Sequence, residues 1–143
     1  MKNNGYDYPD RISAVDAGVP VVAFYARCYR HSNEAEWREK ISRGQVSLNG
    51  RRASAEETLS PGDLLVYHRP PWDEPDAPTD FATLFEDDDV LVLAKPSGLP
   101  VLPGGFYLEN TLLFRARQRY GPGCSPLHRL GRGTSGAILF TRN

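Results

Sequence analysis

The spacing of apolar residues changes from helical to extended and back along this chain. Val21, Phe24, Tyr25 and Cys28 stand at i, i+3, i+4 and i+7, one face of a helix, so a short helix is predicted over Val21 to Tyr29. A second helix should start at Asn33, a good N-cap with Glu36 at the third helical position, run through Trp37 and Ile41, and stop at Gly44. Its outer face carries Arg38, Lys40 and Arg43. Gln45 to Leu48 then alternates polar with apolar and meets Asn49-Gly50, the pair that most favours a tight hairpin, so strands should flank it. Pro61-Gly62-Asp63 turns the chain into a strand over Leu64 to Tyr67.

From Arg69 to Asp80 the run RPPWDEPDAPTD has four prolines, four acids and no apolar period, the composition of an extended linker. Beyond it Phe81 to Phe85 and Val90 to Ala94 read as strands around the acidic turn Glu86 to Asp89, and Pro96 to Gly105 as a loop. A third helix is predicted from about Thr111 to Tyr120, capped by Asn110 and ended by Gly121-Pro122-Gly123, with a last strand over Ala137 to Phe140. The pattern is α+β. It divides into a helix-helix-hairpin domain (residues 1–68), an acidic proline-rich linker (69–80) and a second, sheet-based domain (81–143).

Composition adds a charge pattern that the net value of −1 conceals. Arg27 to Arg52 holds seven basic residues against three acidic ones; Glu56 to Asp89 holds eleven acidic residues against Arg69 alone. Arg115 to Arg142 holds six arginines and no acid. Two basic blocks flanking an acidic stretch suit a protein that grips a polyanion at two places. The 40% hydrophobic share fits a packed globular chain. Nothing is long and apolar enough for a membrane span, and two distant cysteines without a signal-like N-terminus point to a reducing, cytoplasmic setting. His31 and His68 lack Cys or His partners at ligand spacing, so no metal site is expected. Gly131 to Gly136 lacks the Gly-Lys-Ser/Thr ending of a nucleotide-binding loop, so no nucleotide cofactor is expected either.

The order of two short helices, a basic second helix, the hairpin Val46 to Arg52 and the turn Pro61-Gly62-Asp63 resembles a small RNA-binding domain. That domain is shared by a ribosomal small-subunit protein, tyrosyl-tRNA synthetases and many pseudouridine synthases. The resemblance covers roughly Arg11 to Tyr67 and implies that Arg38, Lys40, Arg43, Arg51 and Arg52 face an RNA backbone. The start of the second helix, HSNEAEW, departs from that family's serine-plus-basic pattern.

Further on, Glu86 to Val101 (EDDDVLVLAKPSGLPV) and His128 to Gly136 (HRLGRGTSG) resemble, in the right order, two motifs of the RluA-type pseudouridine synthases. These are an acidic turn leading to a strand that ends in Lys-Pro-x-Gly, and a His-Arg-Leu-Asp sequence followed by Thr-Ser-Gly. The resemblance implies a mixed, mainly antiparallel catalytic sheet that continues past Asn143, and cofactor-free isomerisation of uridine in structured rRNA or tRNA. It casts Arg129 as the residue that holds the rearranged RNA, with His128, Thr134 and Ser135 shaping the loop and Arg132 as a further RNA contact. Gly131 stands where that family has its catalytic aspartate, and no Asp or Glu follows Glu109. Two functions stay open: a synthase in which another residue supplies the carboxylate, or a non-catalytic RNA-binding relative that keeps recognition and has dropped the chemistry.

Overall fold

A computed structural model describes residues 1–143 as two compact units, one of Asn4–Pro71, the other of Met1–Asn3 together with Trp72–Asn143. In the first unit, α1 (Val21–Cys28) and α2 (Glu34–Ser42) accompany a four-stranded sheet. Its strands are β1 (Tyr6–Arg11), β2 (Val46–Leu48), β3 (Arg51–Arg52) and β4 (Leu64–Arg69), in the order β1-β4-β2-β3. Asn33 closes a reciprocal capping box with Glu36, which satisfies amides that the helix start would otherwise leave bare. Asn49 and Gly50 both take positive φ, 51° and 82°, as a two-residue hairpin turn requires. The core is aromatic: Trp37 is fully buried and stacks on Tyr25 at 4.4 Å, with Tyr67 edge-on to the indole at 5.0 Å. On α1, Val22 is buried in place of the expected Cys28, which is exposed, because the helix ends at that residue.

β1 was not predicted, and its absence from the prediction has a physical cause. Tyr-Asp-Tyr-Pro-Asp-Arg contains a proline and no aliphatic residue, yet Pro9 is tolerated because β1 lies at a sheet edge, paired on one side only.

In the second unit β5 (Ala82–Glu86), β6 (Val90–Lys95), β7 (Ser125–Pro126) and β8 (Gly136–Thr141) form a sheet of order β5-β6-β8-β7, and α3 (Leu112–Tyr120) is its helix. Every strand pair in both sheets is antiparallel, in the second unit as well, where the expectation is a mixed, mainly antiparallel sheet. Leu91, Leu93, Ile138 and Phe140 alternate along β6 and β8 to face one core with Leu112, Ala116 and Cys124. The cap of α3 is Thr111, whose hydroxyl accepts the Phe114 amide, and not Asn110, whose side-chain amide donates instead to the Pro75 carbonyl at 2.9 Å.

The segment expected as a linker, 69–80, is divided differently. The unit boundary falls between Pro71 and Trp72, and the rest of the segment packs into the second unit. The cause is Glu74, only 4% exposed. Its carboxylate accepts the backbone amides of Leu108, Glu109 and Asn110 at 2.8–2.9 Å and the Asn3 side-chain amide at 2.9 Å. Burial pushes this carboxyl up, but the three amides and Asn3 outweigh burial and hold it below its ordinary 4.5. A carboxylate depressed on folding contributes stability that is complete above the unfolded value and is lost as pH falls through the folded one. Glu74→Gln should therefore cost about 1–3 kcal/mol at neutral pH. The difference from the parent in urea unfolding should shrink as pH is lowered below about 4.5; a gap that stays constant to lower pH would contradict an ionised Glu74 in this role.

Candidate functional site

The two loops singled out in the sequence meet at one side chain that sequence reasoning did not single out. Lys95 ends β6 on the same inward face as Leu91 and Leu93, and is 2% exposed. Its Nζ donates to the carbonyls of Pro96 at 2.9 Å, Leu99 at 2.7 Å and Arg132 at 3.0 Å. No carboxylate pairs with it, and burial pushes its ammonium below the ordinary 10.5. The Gly98 amide also donates to Arg132 O, at 2.7 Å, and Ser97 Oγ to Gly133 O at 2.7 Å. Gly98 adopts φ +97°, and a Cβ there would lie 3.2 Å from Pro78, so the Lys-Pro-Ser-Gly turn needs glycine at its fourth position.

The loop from His128 to Ser135 is exposed apart from Leu130, which packs against the core. His128 Nε2 accepts the Leu139 amide at 3.0 Å, which fixes the ring to β8 with that nitrogen unprotonated. Arg129 is exposed and pairs with no carboxylate. The Arg132 guanidinium donates to the Tyr107 hydroxyl at 3.0 Å and lies 5.7 Å from that ring's centroid. A turn closes with the Thr134 amide donating to Gly131 O at 3.0 Å; Thr134 and Ser135 are both exposed at its end. A Cβ built on Gly131 would meet only Thr134 Oγ1, at 3.7 Å, and Gly131 does not use positive φ. The position is open to a side chain that this sequence does not supply, and no carboxylate lies within 4 Å of that point.

The basic residues of the first unit are placed on its surface but are largely engaged by the unit's own groups. Arg38 pairs with Glu34 and Glu56, Arg43 with Glu39, and Arg51 with Glu57, while Arg52 donates to the Ser42 carbonyl. Lys40 is half-buried instead of lying on an outer face. Its Nζ donates to Ser32 Oγ at 2.8 Å and lies 4.5 Å from the Trp37 ring, and burial pushes it below its ordinary value.

Residues 89–143 match the family model described as RNA pseudouridylate synthase. The chain is 41% identical over 121 residues to an uncharacterized RNA pseudouridine synthase of Synechocystis, covering 84% of this chain and 42% of the relative. It is 40% identical over 154 residues to RNA pseudouridine synthase 5 of Arabidopsis thaliana, covering 98% of this chain and 42% of that protein. A third relative, the mitochondrial tRNA pseudouridine(32) synthase of Saccharomyces cerevisiae, is 30% identical over 114 residues, 80% of this chain and 25% of its own. The chain thus spans less than half the length of these curated relatives.

Removing the Lys95 ammonium takes the donor from the buried Leu99 carbonyl and the part-buried Pro96 carbonyl, and leaves Arg132 O with the Gly98 amide alone. Lys95→Met should lower stability by about 1–3 kcal/mol and expose residues 96–105 and 128–135 to limited proteolysis. Wild-type resistance of both loops in that variant would show that Lys95 does not hold them together.

Proposed function

We propose that this chain, whose residues 89–143 match the pseudouridylate synthase family, belongs to an RluA-type RNA pseudouridine synthase, with Asn4–Pro71 as its RNA-binding domain and Trp72–Asn143 as part of its catalytic domain. The observation that carries the reading is the junction at Lys95. Two motifs separated by more than thirty residues in sequence are brought into one site by a buried ammonium and by Gly98 and Ser97 bonding to the same loop.

On this reading structured RNA, ribosomal or transfer, docks through backbone phosphates, and one uridine leaves its stack to reach the loop at His128–Ser135. The reaction breaks the bond between ribose C1′ and uracil N1, turns the base, and joins C5 to C1′; C5 loses its hydrogen as a proton and N1 takes one up, so the product is an isomer. Arg129 is exposed and forms no ion pair, and on this reading its planar donor fork holds the rearranged RNA. His128 positions the loop through Leu139 and is not a free base at Nε2. Arg132, Thr134 and Ser135 complete the exposed rim.

A specific observation favours the second reading, an RNA-binding relative without the chemistry: at Gly131 there is no carboxylate and none within 4 Å of where a side chain would begin. The open space there makes the test clean, because Gly131→Asp should fold like the parent. Full-length protein carrying each residue would be given RNA tritiated at uracil C5. Tritium release by the Asp variant alone would assign recognition without catalysis to the parent, and release by both would show that another residue provides the carboxylate. Release by neither, with Gly131→Asp folded and bound to RNA, would overturn the synthase reading.

A further inference from the structure

The arginine row of α3 is the part of the sequence's second basic block that the loop at His128 does not use. Along this helix Arg115 and Arg119 are four residues apart, on one face. They line an open groove of about 400 Å³ together with Gln118, Thr79, Asp80 and Phe81. Unlike Arg38, Arg43 and Arg51, neither arginine forms an ion pair. The Arg119 guanidinium is exposed and held over two rings, 5.3 Å from Tyr120 and 5.7 Å from Phe81, and the Tyr120 hydroxyl is itself bonded to Thr83. Contact with two rings leaves a guanidinium's N–H donors available to an acceptor. Arg115 donates to Asn110 Oδ1 at 3.1 Å, and its Nε is shielded from water with no acceptor. Asp80 is exposed and pairs with neither cation, so the groove combines unneutralised positive charge with a separate hydrogen-bond acceptor.

That combination fits a ribose phosphate better than a bare anion. A free anion would gain nothing from a carboxylate in its site, whereas a ribose 2′-hydroxyl can donate to one while the adjoining phosphate meets the guanidiniums. We propose that this groove binds the sugar-phosphate backbone of RNA, with Arg119 and Arg115 on a phosphate and Asp80 accepting a 2′-hydroxyl. It is then a second grip that distinguishes RNA from DNA away from the loop at His128. The proposal rests on the RNA-directed function above.

The test measures binding of the full chain to a fluorescein-labelled RNA stem-loop and to DNA of the same sequence across a salt series. Arg119→Gln should weaken RNA binding several-fold and lower the slope of log affinity against log salt by about one, while Arg119→Lys keeps the slope. Asp80→Ala should reduce the preference for RNA over DNA several-fold. A wild-type slope in folded Arg119→Gln would overturn the phosphate contact, and an unchanged RNA-to-DNA ratio in Asp80→Ala would overturn the hydroxyl contact. Absence of RNA binding by the parent would instead bring down the underlying function, and the groove with it.

Discussion

The second unit is organised around an ammonium that has been taken out of water without a counter-ion. Desolvating a charge costs several kcal/mol, and an opposing carboxylate is the usual compensation. Lys95 is compensated by three carbonyl dipoles that belong to two different loops. Each carbonyl must therefore stay where it is, or the charge is left uncovered. The result is a loop geometry enforced by backbone groups, and Arg132 O is doubly fixed because the Gly98 amide donates to it as well.

That arrangement separates the shape of the site from its chemistry. If the loop at His128–Ser135 were held by a bond to the side chain at position 131, glycine there would let it collapse. It is held by Lys95, by Ser97, by the Thr134 turn and by His128 on β8. The shape of this loop can thus persist with or without a carboxylate at 131. Glu74 does for the start of α3 what Lys95 does for the loops: a buried charge covered mainly by main-chain groups fixes Leu108–Asn110 just before the Thr111 cap.

Much of this was legible in the sequence, for reasons that can be traced to particular residues. The two helices, the Asn49-Gly50 hairpin and strands β4, β5, β6 and β8 carried short-range signals such as caps, turn pairs and period-two alternation. β1 was illegible because its pairing with β4 joins residues about sixty apart, and a tyrosine-proline strand has no alternation of its own. The stretch 69–80 looked like a linker because a buried acid in a nest of amides cannot be told from a solvated one by composition. Lys95 could have been found: continuing the alternation of Leu91 and Leu93 by one step places it inside. What it bonds to could not, since carbonyls carry no sequence signal.

The same limit applies to charge. A tally of basic residues cannot distinguish cations that are free from cations already satisfied, and here the two blocks differ. Arg38, Arg43 and Arg51 are exposed but paired with Glu34, Glu56, Glu39 and Glu57. Exposed pairs of this kind are worth about 0–1 kcal/mol, so a phosphate can displace the carboxylate, yet the displaced acid stays nearby and repels it. In the second block Arg142 is paired with Glu86 in the same way, whereas Arg129 and Arg119 form no ion pair, although Asp80 lines the groove beside Arg119. The local excess of positive charge in the first block therefore overstates its attraction for a polyanion, and the smaller, acid-free block after Arg115 should contribute more affinity per arginine than the sequence count suggests.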